Sequence, residues 1–154
     1  MKFMQKATEQ GYIACSKEEI PIGAVVVKDN KIIAKACNTR EKSQIATHHA
    51  EILAIEKACK KLKSWRLDDC DIYVTLEPCP MCAGAILNAR IKNLFYAVED
   101  TENGGHTRFD MFNSTMNHTV NVVHDTEFES ENKKLIQNFF KNKRKIQKLL
   151  KNNK

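Results

Sequence analysis

The sequence predicts an α/β fold in three layers, α/β/α, with a five-stranded mixed sheet between helices on both faces. Three observations predict it. Short runs rich in β-branched and small apolar residues, at 22–27, 32–36, 72–76, 94–98 and 120–123, have strand length and alternate with segments of helical period. Lys28-Asp29-Asn30-Lys31 joins the first two runs as a hairpin. A strand–helix–strand order across 72–98 implies a parallel pair joined by a right-handed crossover.

Taken in order, residues 2–17 read as an amphipathic helix with Phe3, Met4, Ala7, Tyr12 and Cys15 as inward positions. Pro21 ends it and leads into the first hairpin. A polar loop over 38–47 delivers a second helix running to Leu62, with Ile52, Leu53, Ile55 and Ala58 on one side. The third strand ends at Leu76, and prolines at 78 and 80 open a helix reaching Asn88, because proline suits a first turn whose N–H needs no partner. After the strand at 94–98, residues 100–117 show no clear period; a loop of that length in a small domain usually serves function. A last helix, about 129–150, carries Leu135, Ile136, Phe139, Phe140, Ile146 and Leu149 as its apolar stripe. Adjacent helical positions cannot both face one core, so one of Phe139 and Phe140 is expected inward and the other at the surface. No internal repeat appears, and 154 residues suffice for one domain, 1–154, with one well-filled core.

The chemistry sits in two short stretches. Cys79 and Cys82 lie one turn apart at the start of the proline-opened helix, where unpaired N–H groups and the helix dipole favour thiolates. Two such thiolates are half of a zinc site. His48-His49-Ala50-Glu51, thirty residues upstream, supplies the rest: His49 completes His-Cys-Cys and leaves a fourth position open, as catalytic zinc requires. Glu51 then stands beside that position as a general base and acid. A lone Cys-x-x-Cys could be a redox pair and a lone histidine a packed side chain, but a closed structural zinc would want a fourth Cys or His at short spacing from the first, and the sequence after Glu51 supplies none at that spacing. His48 is the alternative ligand; the His-x-Glu spacing favours His49.

Charge and cysteine content narrow the setting. Lys133, Lys134, Lys141, Lys143, Arg144, Lys145, Lys148, Lys151 and Lys154 put nine basic groups and no acid in residues 132–154. Removing those nine from 25 leaves 16 basic against 19 acidic residues elsewhere, so a basic tail follows a mildly acidic body. That asymmetry suits a polyanion such as nucleic acid, or else a solvated lysine face. No apolar run approaches the 18 residues of a membrane span, and no signal peptide is visible. Six cysteines then read as reduced thiols in a cytoplasmic protein, with Cys15, Cys37, Cys59 and Cys70 as small buried hydrophobes.

His-x-Glu with Pro-Cys-x-x-Cys is a known signature of zinc nucleobase deaminases. On those motifs the chain resembles the cytidine deaminase superfamily, and within it the bacterial tRNA adenosine deaminases, which convert the wobble adenosine of an anticodon to inosine. The likeness spans nearly the whole chain, through 20–27, the Asn38–His49 spacing, 73–86, Arg90-Ile91, Asp100, Asn117-His118 and Phe139-Phe140 with Arg144. It implies a cytidine deaminase-like fold and one Zn2+ per subunit held by His49, Cys79 and Cys82. Glu51 becomes the proton shuttle, and Asn38, Ile22, Ala50, Leu76 and Pro78 the groups around the base. It further implies a tRNA anticodon arm as partner, met by Asp100, Asn117, His118, Phe140 and Arg144, and a homodimer formed through the Cys79 helix. The chain departs from the family pattern at Arg40, at Glu102, where a lysine is usual, and across 104–109. A free-base or nucleoside deaminase acting on guanine, cytosine or cytidine would use the same zinc chemistry without a basic tail.

Overall fold

The computed structural model describes residues 2–113 and 115–153, so Ser114 of the long loop and Lys154 of the basic tail lie outside the described residues. Chain order is α1 (Phe3–Ser16), β1 (Gly23–Lys28), β2 (Lys31–Cys37), α2 (Arg40–Ser43), α3 (Ala50–Leu62), β3 (Cys70–Leu76), α4 (Pro80–Asn88), β4 (Asn93–Val98), β5 (Asn121–His124), a 3₁₀ turn (Thr126–Phe128) and α5 (Glu129–Asn152). The strands form one mixed sheet in the order β2-β1-β3-β4-β5. β1 is antiparallel to both β2 and β3, while β3, β4 and β5 run parallel. The parallel β3–β4 pair is the one expected from the α4 crossover.

Local chemistry sets these elements. Asp29 and Asn30 both have positive φ, of 50° and 61°, so the hairpin is a two-residue turn of the primed kind, which only residues tolerant of the left-handed region can make. Alternation along β1 divides the core: Ala24 and Val26 pack under α3 and α4, and Val25 and Val27 under α1. On the α1 side, Tyr73 stacks on Phe95 with ring centroids 4.4 Å apart.

Two readings of the helices need correction. In α1 the buried stripe is Met4, Ala7, Thr8, Gly11 and Ala14, whereas Tyr12 is exposed and its hydroxyl donates to Glu131 at 2.9 Å, and Cys15 and Phe3 are half-buried. Small residues win because helix and sheet nearly touch: a Cβ on Gly23 would overlap the Ala7 carbonyl oxygen. Gly23→Ala is therefore expected to cost about 3 kcal/mol, read by denaturant unfolding, since its nearest obstacle is backbone that cannot rotate away. In α5 only Asn132 is buried; Ile146 and Leu149 are 58% and 57% exposed, so the apolar stripe is covered no farther than Phe140. Phe139 and Phe140 are both half-buried and meet edge to face, with centroids 5.4 Å apart, rather than dividing between core and surface. Of the four cysteines expected in the core, Cys37 and Cys70 are buried, but Cys15 and Cys59 only half so.

The expected polar loop at 38–47 contains the short helix α2. Its cause is distant in sequence. The buried carboxylate of Glu19 accepts from the backbone N–H groups of Glu41 and Lys42, at 2.9 and 2.8 Å, and so satisfies α2's first turn from outside. Among the described residues no helix is long and apolar enough to cross a membrane.

Candidate active site

The N-termini of α3 and α4 meet at the C-terminal end of β3, the central strand of the sheet. His49 is the residue before α3 and Cys79 the residue before α4, both in extended conformation, and neither side chain caps its own helix. That frees both for another partner. Cys82, in the first turn of α4, is fully buried behind them. The His49 Nδ1 lies 3.7 Å from Cys79 Sγ and 3.6 Å from Cys82 Sγ, and the three ligand atoms all fall within 4.8 Å of one another. Nitrogen and sulfur donors around a tetrahedral ion stand about 3.5–3.8 Å apart, given bonds of about 2.0 and 2.3 Å. The trio therefore fits a metal ion, with His49 and not His48 as the histidine.

Electrostatics at the trio point the same way. Hydrogen bonding from the Cys82 thiol, aided by His49, pulls Cys79 down to about 4, so Cys79 is the thiolate. Cys82 is pushed far up, first by sharing that hydrogen bond and then by burial, and keeps its proton. His49 is raised, chiefly by its hydrogen bond to Cys79. One negative charge is all these side chains hold together unaided; a cation between them would stabilise the second thiolate.

Glu51 opens α3 and is 4% exposed. Burial pushes its carboxyl up to about 6, near the value at which a group both takes and gives protons at neutral pH. It lines a cavity of about 800 Å³ whose floor includes His49 and Cys79. Ile22, Asn38, Ala50 and Leu76 line the same cavity; Pro78 does not, and its carbonyl accepts from the Gly105 N–H at 2.7 Å. Asn38 is fixed by accepting the Arg40 N–H at 3.2 Å on Oδ1, and among the described residues its Nδ2 has no partner.

The residues expected to meet a nucleic acid divide. Asp100 and Phe140 stand on the rim of the main cavity. Asn117 and His118 instead line a separate cavity of about 230 Å³ beside Arg90, with His118 Nε2 2.7 Å from the Ile91 carbonyl oxygen. Arg144 is exposed on α5 and lines neither cavity. Motif reading missed Lys133 and Gln137 of α5, which reach the rim, and the buried acids Glu19 and Glu77. A carboxylate beside the apolar run at 72–76 was the available signal for Glu77.

Residues 1–144 match the family model described as MafB19-like deaminase. The tRNA-specific adenosine deaminase of Rickettsia bellii (strain RML369-C) is 43% identical over 141 residues, covering 90% of this chain and 97% of the relative. A solved structure from studies of A-to-I editing by tRNA:A34 deaminases at the wobble position of transfer RNA has a TM-score of 0.81 and 39% identity, covering 86% of this chain and 97% of its own. A guanine deaminase from Bacillus subtilis superposes with a TM-score of 0.63 and 38% identity, over 83% of this chain and 86% of its own. The fold expected from the motifs is the fold these relatives have. With a family model spanning nearly its whole length, and relatives at this identity, the chain belongs to the MafB19-like deaminase family.

Proposed function

We propose that this chain, acting as one domain, hydrolyses the wobble adenosine of a tRNA anticodon to inosine and ammonia, with one zinc ion held by His49, Cys79 and Cys82. The observation that carries the reading is a buried Glu51 carboxyl lining one cavity with a His-Cys-Cys trio spaced for a tetrahedral ion. One imidazole and two thiolates suit zinc, which when bound lowers the pKa of a coordinated water toward neutrality. Glu51 is the group that accepts a proton from the attacking water and delivers it to the ring nitrogen. It then takes the remaining proton of the hydroxyl added at C6 and passes it to the exocyclic amine, which leaves as ammonia as the C6 carbonyl forms. Its carboxyl, held near 6 by burial, suits both directions of transfer. The unpaired Nδ2 of Asn38 donates to an acceptor on the purine edge, and Ile22 and Leu76 supply apolar walls.

A base in a stacked helix cannot reach this floor, so the substrate is a splayed loop nucleotide. Phe140 on the rim offers a face for a neighbouring base, and Lys133 with the exposed cations of α5, Arg144 among them, faces the phosphates. Asp100 meets the same loop; Asn117 and His118, lining the smaller cavity, take up backbone more remote from the reacting base. The outer face of α4, with Met81 37% exposed, is the surface for a second copy of the chain. A cytoplasmic site of action follows from a tRNA substrate.

The resemblance to a guanine deaminase supports a second reading, action on a free base. One assay separates them: inosine and ammonia are scored with an anticodon stem-loop carrying a wobble adenosine, and with free guanine, cytosine and cytidine. Turnover of the stem-loop alone is the expected result. A chain ending at Asn138 loses Phe139, Phe140 and seven of the nine tail cations. It should bind the stem-loop more weakly and with a flatter dependence on salt, as fewer phosphate contacts release fewer counterions. Unchanged binding and salt slope would make the tail a solvated face and move the free-base reading to first place.

A further inference from the structure

Glu77 is 2% exposed, and no ion pair among the described residues includes it. Its carboxylate instead gathers donors from one loop. Oε1 accepts from the Asp100 N–H at 3.1 Å and the Thr107 hydroxyl at 2.8 Å; Oε2 accepts from the N–H groups of His106 and Thr107 at 3.0 and 2.8 Å. The loop lies directly on the carboxylate, since a Cβ on Gly104 would overlap Oε2. One residue on, the Gly105 N–H donates to the Pro78 carbonyl at 2.7 Å, immediately before the metal-ligand position Cys79. Within the loop, Asp100 Oδ1 accepts from the N–H groups of Glu102 and Asn103, at 3.2 and 3.0 Å, and so shapes residues 100–103. Those residues form one wall of the main cavity.

We propose that Glu77 is a positioning residue, which fixes the 100–103 wall relative to the Pro78–Cys79 turn by holding both ends of the 100–107 loop on one buried carboxylate. The bonds are charge-assisted and shielded from water, so each is worth more than an ordinary surface bond. Both oxygens face donors. An amide cannot replace them, because whichever way Gln is turned its NH₂ meets at least one backbone N–H. Glu77 also borders the main cavity, but both its oxygens are taken up by the loop, so it acts through the 100–103 wall and not on substrate directly. The inference rests on the deaminase reading for its kinetic readout and not for its structural one.

The test uses the zinc-loaded full chain in the forms wild type, E77Q, T107V and T107S. Amide hydrogen exchange is followed across 100–110, zinc per chain is measured, and kcat and KM are determined on the anticodon stem-loop. In E77Q the amides of Asp100, His106 and Thr107 should exchange about tenfold faster or more, since a bond to a charged partner is lost. Its zinc content should stay at one per chain, with KM rising about tenfold and kcat within about threefold of wild type. T107V should show the same pattern at smaller amplitude, and T107S should restore wild-type behaviour through its hydroxyl. Exchange and KM unchanged in T107V would overturn the inference whatever E77Q does. So would zinc loss from E77Q with kcat falling and KM constant, which would place Glu77 in support of the metal centre instead. Turnover by the wild type decides the substrate reading separately; if the stem-loop is not deaminated, the exchange pattern alone still decides the role of Glu77.

Discussion

Replacing Glu51 by alanine is expected to lower kcat on the stem-loop by a factor of about 10² or more while zinc content and fold are retained. The side chain opens α3 two residues after His49, yet contributes no atom to the trio of ligand positions. What it supplies is a movable proton at the cavity floor. Glu51→Gln separates the two properties of the residue, because the amide keeps its size and its place in the wall and loses only proton transfer. Both variants should therefore fail alike in turnover and bind the stem-loop with nearly wild-type affinity. Stability should not suffer at neutral pH. Burial holds the Glu51 carboxyl at about 6, above its ordinary 4.5, so the native protein binds this proton more tightly than the unfolded chain does. That contribution favours the fold below about pH 4.5 and is lost as pH rises through about 6. At pH 7 the buried charge is a cost, and Glu51→Gln removes it. Deamination by either variant within tenfold of wild type would make Glu51 a structural acid and remove the basis of the proposed mechanism.

The legible parts of this chain were those with short-range causes. Pro80 and the two cysteines declare a helix start and half a metal site within four residues. Asp29-Asn30 declares a turn that their positive φ angles then make. The β-branched runs place all five strands to within two residues, including the parallel pair around α4. What escaped was set by contacts across the fold. α2 exists because Glu19, more than twenty positions earlier, bonds its first turn, and no local periodicity announces that. The inward face of α1 is chosen by how closely it must approach Gly23, which favours Gly11 and Ala14 over the larger Tyr12. Glu77 looked like one more residue of the motif, although its partners lie 23 to 30 positions on, in a loop with no pattern of its own. The amphipathic pattern of α5 predicts a buried stripe, but beyond Phe140 the described residues are all exposed. Hydrophobic periodicity specifies which face of a helix is apolar; it does not specify whether anything covers that face.

Replacing Cys82 by alanine should abolish turnover and metal retention together, the largest effect of any single substitution at the site. Cys82 Sγ is 3.6 Å from His49 Nδ1, its residue is fully buried, and the backbone of α4 holds it one turn from Cys79. With one thiolate gone, His49 and Cys79 offer two donors, and a zinc ion held by two protein ligands is readily lost to a competing chelator. Cys79 also loses the Cys82 hydrogen bond that chiefly lowers its pKa, and the cavity floor lacks the positive centre on which hydrolysis at neutral pH depends. Structural metal loss would also show in stability, because an ion bound only by the folded state adds RT ln(1 + [L]/Kd) to the unfolding free energy. Metal analysis after dialysis should thus find about one zinc per chain in the wild type and well under one in Cys82→Ala. Thermal unfolding with and without chelator should shift the wild type and leave the variant unmoved. Cys79→Ala should reproduce the result, and His48→Ala should not, since His49 is the histidine placed against both sulfurs. A Cys82→Ala protein that keeps its zinc and its activity would show that the ion, if present, sits elsewhere, and would end the case for His49, Cys79 and Cys82 as the catalytic metal site.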